Sequence, residues 1–268
     1  MKSSLYPAIV AILLAFASLL HGEKAKEFVI VPSTGTGPFP VAVWLHGYRG
    51  YSDSGYFPGE TAEAMQKHAD QMGAVIIGFP ATTDLGDDTQ QWSEEPVADH
   101  AYIQSRLQLI GKNVKLDLRR VVLFGFSEGA MVAADIATLY PANYRGAILM
   151  SPGGVGDPKV AKVKNPLHAK QVFFCFCGAD EHPGNVGLTK FYARHLQRVL
   201  GAQVTLKLYP GVSKHTRPPD FLEKLPEWVV AILKTETKST GDTSVDKDEH
   251  KVFKNEGNRI DRSSDLTP

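Results

Sequence analysis

The stretch Val121–Tyr140, VVLFGFSEGAMVAADIATLY, closed by Pro141, decides how the chain is read. Val121–Phe126 is apolar almost throughout, as a strand covered on both faces would be. Ala130–Tyr140 has helical character, and Pro141 ends it. Between them stands Gly125-Phe126-Ser127-Glu128-Gly129, a G-x-S-x-G turn with a strand before it and a helix after it. So tight a turn needs a strained backbone at Ser127, and glycines beside it so that strand and helix do not collide. The Ser127 hydroxyl then stands at a helix N-terminus, where backbone N–H groups and the helix dipole favour a developing anion.

Outward from this turn, further β-rich runs lie at Phe28–Val31, Val41–Leu45, Ala74–Phe79, Gly146–Met150, Val172–Cys177 and Val204–Tyr209. Helical patterns alternate with them. Pro96–Ile110 carries Ile103, Leu107 and Ile110 on one face. Leu188, Phe191, Tyr192, His195, Leu196 and Val199 keep helical spacing, as do Phe221, Leu222, Leu225, Trp228, Val229 and Ile232. This alternation predicts an α/β domain over residues 23–234, a mostly parallel central sheet with helices on both faces. Met150 to Lys170 is too short to form a large cap.

Such sheets bind ligands beyond the carboxyl ends of their strands. A serine hydroxyl is a weak nucleophile near neutrality and needs a base, which an acid must orient. In chain order the expected sequence is serine, acid, histidine. Gly178-Ala179-Asp180-Glu181-His182 follows Val172–Cys177, and Gly211-Val212-Ser213-Lys214-His215 follows Val204–Tyr209. Ser127, Asp180 and His215 are therefore the expected catalytic set. Glu181, one residue further from the strand end, is the alternative acid. His182 is too close to the acid to reach the serine, and His68, His100, His168 and His195 read as packing or surface residues. The anion formed on attack needs two backbone donors. Glu128, after the serine, supplies one. The other is expected from Tyr48, in the loop His46-Gly47-Tyr48-Arg49-Gly50 that follows Val41–Leu45. The Glu128 carboxylate would oppose that anion unless it points away, so it is expected to face outward, held by the helix start or a cation.

Composition trims the alternatives. Lys plus Arg and Asp plus Glu both number 29, and no clustered basic excess marks a nucleic-acid partner. The two cysteines, Cys175 and Cys177, are too few for a disulfide scaffold or a four-cysteine zinc site, and read as buried strand fillers. No metal or organic cofactor is expected. Lys2 followed by the uncharged run Leu5–Leu20 reads as a signal peptide over residues 1–22; the run itself, at 16 residues, is shorter than the ~20 residues of a membrane span. That predicts a secreted or periplasmic protein with no stable membrane span after cleavage, an uncleaved N-terminal membrane anchor being the alternative. Residues 235–268 are charged and small polar, and read as a disordered tail.

These motifs resemble the α/β-hydrolase superfamily, nearest its small phospholipase/carboxylesterase and dienelactone-hydrolase-like members. The carriers are Leu45-His46-Gly47-Tyr48-Arg49-Gly50, Gly125 to Ala130, Gly178-Ala179-Asp180 and Gly211 with His215. A looser likeness, carried by Trp92, Val97, Asp99, Tyr102, Ile103, Asp117, Arg119 and Arg120, is to secreted polyhydroxyalkanoate-depolymerase-like and feruloyl-esterase-like proteins. Two departures stand out. Carboxylesterases of this kind usually carry Gln where this chain has Glu128, and dienelactone hydrolases use cysteine where it has Ser127. The resemblance implies a serine hydrolase of carboxylic esters acting on a small-molecule or polymer ester. Acyl-thioesterase, peptidase and non-catalytic binding protein are the other readings that the same residues allow.

Overall fold

The computed structural model describes residues 27–51, 61–86, 89–93, 95–154 and 156–235. The expected leader at residues 1–22 and the expected tail, apart from Thr235, lie outside them. In chain order the elements are β1 (Phe28–Ile30), β2 (Phe39–Leu45), β3 (Gly50–Tyr51), α1 (Ala62–Met72), β4 (Val75–Gly78), β5 (Thr83–Asp84) and β6 (Thr89–Gln91). There follow α2 (Pro96–Ile110), β7 (Leu116–Phe126), α3 (Glu128–Leu139), β8 (Gly146–Met150), β9 (Val172–Gly178), α4 (Pro183–His195), β10 (Gln203–Tyr209) and α5 (Phe221–Leu233).

Seven strands form the main sheet in the order β1-β4-β2-β7-β8-β9-β10. The edge strand β1 runs antiparallel to β4, and every other neighbour pair is parallel. Strand alternation sorts the core into two layers. Val41, Val43 and Leu45 of β2 and Leu123 of β7 pack with Ile103, Leu107, Ala134 and Tyr192 from α2, α3 and α4. Ala42 and Trp44 of β2 and Phe124 of β7 face the other way, onto Met65 and Ala69 of α1 and Leu225, Trp228 and Val229 of α5. Each large apolar side chain fully buried here contributes about 1.5–3 kcal/mol. Small residues let α3 lie close to the sheet: Ala130, Ala133, Ala134 and Ala137 are fully buried.

The mostly parallel sheet with helices on both faces is the expected architecture. Between β8 and β9 the described chain carries one 3-10 turn, Pro166–Lys170, and no cap. Three features were not anticipated. Helix α1 is one. A three-stranded sheet, β3-β6-β5, is another. The third is the helical stripe after residue 188: Tyr192 and Leu196 are buried, but Phe191 and Val199 are 41% and 44% exposed. Within α4 the buried face is Thr189, Tyr192 and Ala193, which leaves Phe191 outside it, and the helix then passes into a π-helical turn at Leu196–Leu200, which shifts the stripe at Val199. Among the described residues no helix is long and apolar enough to cross a membrane.

Candidate active site

Strand β7 ends at Phe126 and α3 begins at Glu128, so the whole change of direction falls on Ser127, with φ 56° and ψ −121°. A left-handed backbone at a non-glycine residue costs roughly 1–3 kcal/mol and persists only where its surroundings enforce it. The enforcement is visible. A Cβ at Gly125 would lie 2.3 Å from the Gly129 carbonyl oxygen, and one at Gly129 would lie 2.2 Å from the Leu45 carbonyl oxygen. Strand, helix and the end of β2 are in backbone contact, and only glycine fits.

The Ser127 hydroxyl oxygen lies 2.8 Å from His215 Nε2 and 3.2 Å from the Gly153 carbonyl. The other ring nitrogen, His215 Nδ1, lies 2.5 Å from Glu181 Oε1. The carboxylate partner fixes the tautomer: Nδ1 carries hydrogen and donates to Glu181, leaving Nε2 to accept from Ser127. Phe126 packs against the His215 ring with centroids 4.7 Å apart.

The carboxylate beside His215 is thus that of Glu181 and not of the expected Asp180. Asp180 sits in the turn that follows β9, where its carboxylate accepts the Gly211 N–H at 2.7 Å and its own N–H donates to the Val212 carbonyl. It ties the β9 turn to the loop that carries His215. Glu181, one residue on, folds inward with its side chain 1% exposed. Asn185 Nδ2 donates to its Oε1 at 2.6 Å, and the Ser151 hydroxyl (2.9 Å) and the Cys177 thiol (3.4 Å) donate to its Oε2. Burial raises the carboxyl pKa, but hydrogen bonds from Asn185, His215, Ser151 and Cys177 outweigh it and hold the group below its ordinary value. The Ser151 hydroxyl also lies 3.2 Å from the Thr216 carbonyl, and Ser151 itself has φ 43°. Sequence reasoning missed Ser151, Asn185 and this role of Cys177. Only their positions after or on β8, β9 and α4 could have singled them out.

Opposite the histidine lies the loop after β2. A Cβ at Gly47 would stand 3.1 Å from that of Ser127, so this loop abuts the serine. Neither the Tyr48 nor the Glu128 backbone N–H has a protein acceptor among the described residues. His46 is half-buried, and burial outweighs its hydrogen bond to Gly47 to push its pKa down. It accepts the Ala81 N–H at Nε2 (3.1 Å) and contacts the Gly47 carbonyl through Nδ1 (2.7 Å). The Glu128 side chain does turn away from Ser127, to where the Trp92 backbone N–H donates to Oε2 at 3.3 Å. With Asp99, Met131, Asp135 and Lys159 it lines a cavity of about 80 Å³. Burial pushes the Glu128 carboxyl up to about 7, Trp92 opposing and Asp99 adding to the rise.

Of the other histidines, His182 caps α4 by accepting the Gly184 N–H, and His168 and His195 bond backbone carbonyls. Cys175 and Cys177 are buried and unpaired with each other. No group of three or more His, Cys, Asp or Glu side chains among the described residues is arranged to hold a metal ion.

A hydroxyl at a helix N-terminus, beside a histidine backed by a buried carboxylate, can be deprotonated as it attacks an electrophilic carbon. The sequence profile of the phospholipase/carboxylesterase family matches residues 85–233, more than half of the chain. No curated protein sequence matches it. Among solved structures, the fold is similar to that of the Bacillus cereus carboxylesterase, with TM-score 0.56 and 19% identity, covering 82% of this chain and 98% of that one. It is similar also to a ferulic acid esterase (TM-score 0.60, 13% identity, 78% of this chain and 92% of that one). A third is the S-formylglutathione hydrolase of Agrobacterium tumefaciens (TM-score 0.56, 18% identity, 77% and 89%). At these identities the structural likeness establishes the fold, and the profile match establishes descent: the chain belongs to the phospholipase/carboxylesterase family, carboxylic-ester hydrolases of the α/β-hydrolase fold.

Proposed function

We propose that the chain hydrolyses carboxylic esters through a Ser127–His215–Glu181 triad and an acyl-enzyme. The observation that carries this reading is the continuous chain of contacts from the Ser127 hydroxyl through both His215 nitrogens to Glu181. As Ser127 Oγ attacks the ester carbonyl carbon, its proton passes to His215 Nε2 and the carbonyl electrons move onto oxygen. The Tyr48 and Glu128 N–H groups receive that oxyanion. Its collapse breaks the bond to the alkoxy oxygen, which leaves with the proton from His215. Water then attacks the acyl-enzyme, giving one proton to His215 Nε2. The second collapse releases the acid, and His215 returns its proton to Ser127. Glu181, held ionised by its donors, stabilises the imidazolium at both stages.

The lack of a cap between β8 and β9 favours small acyl groups or polymer ends over long lipids. Export to the periplasm or beyond the cell, after cleavage of residues 1–22, is supported by Lys2 and the apolar run Leu5–Leu20.

A p-nitrophenyl ester chain-length series, run beside a feruloyl ester, a matched thioester and an amide, tests the reading. The short oxygen esters should turn over fastest. Ser127→Ala should lower turnover by roughly 10⁴–10⁶-fold without unfolding the protein. Ester turnover that survives intact in that variant would refute the mechanism.

A further inference from the structure

The two proposed anion donors sit on separate elements, Tyr48 on the loop after β2 and Glu128 at the head of α3, and they serve one oxygen atom only if those elements keep a fixed spacing. Trp92, which follows β6, touches both. Its backbone N–H donates to Glu128 Oε2 at 3.3 Å, and its indole Nε1–H donates to the His46 carbonyl at 2.9 Å. Its ring also packs on the His46 imidazole, with centroids 5.5 Å apart and planes at 39°. The residue is 1% exposed.

The direction in which the loop's N–H groups point follows from these contacts. In a trans peptide the carbonyl and the N–H of one unit point in opposite directions. A hydrogen bond that fixes the His46 carbonyl therefore also fixes the Gly47 N–H. The Gly47 carbonyl is held in turn by the His46 ring and by the Gly50 N–H at 3.0 Å, which fixes the Tyr48 N–H. The His46 ring is held by Trp92 on its face and by the Ala81 N–H at its edge. The His46 carbonyl oxygen itself lies against the elbow, 2.4 Å from where a Gly129 Cβ would be. If it were unanchored, a small peptide rotation would turn its negative end toward the developing anion.

We propose that Trp92 is a positioning residue for oxyanion stabilisation, its two N–H groups clamping the loop His46–Gly50 to the head of α3. The inference rests on the ester-hydrolase reading above. Trp92 touches no reacting atom; it aims the donors that do. A purely structural tryptophan would, when altered, lower stability without lowering affinity for a mimic of the oxyanion.

Trp92→Phe keeps an aromatic wall and removes the indole donor. Removing one oxyanion donor outright costs about 10²–10³-fold in kcat, so loosening one should cost about 10–100-fold. The expected result with p-nitrophenyl acetate is that loss in kcat with KM changed by less than about threefold. Affinity for a short-chain trifluoromethyl ketone, whose adduct with serine carries the oxyanion, should fall by the same factor as kcat/KM. A second pair guards against misfolding of the tryptophan variant. Glu128→Ala removes the acceptor at the other end of the clamp and should lose activity in the same pattern. Glu128→Gln, which retains an amide oxygen, should recover most of that loss.

Trp92→Phe retaining more than half of the wild-type kcat overturns the inference. So does a loss shared by kcat and thermal stability while trifluoromethyl ketone affinity stays at the wild-type value. If Trp92→Phe does not fold, equal activity of Glu128→Ala and Glu128→Gln overturns it. A wild-type protein that turns over no ester and takes no fluorophosphonate label would instead bring down the ester-hydrolase reading on which the inference stands.

Discussion

Two glutamates flank Ser127 and are driven in opposite directions. Glu128 follows the serine directly; among the described residues its carboxylate receives one backbone N–H, at 3.3 Å, and it is pushed up to about 7. The Glu181 side chain is the less exposed of the two, yet it is held below its ordinary value, because Asn185, His215, Ser151 and Cys177 all reach it. Burial alone therefore does not decide the charge of a carboxyl group; the number of donors that replace its lost water does. The consequence fits the proposed chemistry. The acid that must stay charged to stabilise an imidazolium is surrounded by donors. The one beside the developing oxyanion is left short of them, so that near neutrality part of its population is uncharged.

The strongest way to break this contrast is to neutralise Glu181 without changing its shape. Glu181→Gln should lower kcat by about 10⁴-fold, the effect of losing the acid and the correct histidine tautomer in a serine triad. Asp180→Asn, whose amide oxygen can still accept the Gly211 N–H, should change turnover by about twofold or less, in line with ±0.5 kcal/mol for changes outside a critical contact. Parallel ester kinetics on the two variants decide the assignment, and a reversed order would return the acid to Asp180.

A smaller effect sharpens the role of the donors. Ser151→Ala removes one hydrogen bond to a charged group, worth about 1.5 kcal/mol, and should lower kcat about tenfold. The Glu181 carboxyl should then titrate at a higher pH, followed by carbon-13 NMR of labelled glutamate. An unmoved titration would mean that Ser151 is incidental.

The smallest effect lies on the other glutamate. Its folded pKa is raised, so its contribution to stability is complete below the unfolded value near 4.5 and is lost as pH climbs through about 7. Glu128→Gln lacks that loss. Because water reaches the half-buried carboxylate, the difference is about 1 kcal/mol, and the melting temperature of the variant relative to wild type should rise by about 2–4 °C between pH 5 and pH 8. A constant difference across that range would contradict the raised pKa.

The sequence made some of this arrangement readable and hid the rest. Val121–Phe126 and its G-x-S-x-G turn are legible because uninterrupted apolar β-branched and aromatic residues, then two glycines, leave few other conformations. His215 is legible because it follows a strand and precedes a helix in the right chain order. Asp180 misled because distance along the chain from a strand end says nothing about which way a turn residue faces. Its hydrogen bond to Gly211 is set by a loop some thirty residues away, and no local pattern encodes that. Helix α1 passes unnoticed for a different reason: its buried face, Met65, His68, Ala69 and Met72, keeps helical spacing but is built without the Leu, Ile, Val and Phe that mark the other helices. The short strands β3, β5 and β6 owe their existence to one another and carry no signal of their own.

Three non-glycine residues among those described have a left-handed backbone: Arg49 at φ 57°, Ser127 at 56° and Ser151 at 43°. One is on the loop beside the serine, one is the serine, and one donates to Glu181. The molecule thus concentrates its conformational debt in a single neighbourhood, and that makes thermostability and turnover antagonists there. Ser127→Gly should melt above the wild-type enzyme while doing no chemistry, and selection for heat resistance alone would erode these positions before it touched the core.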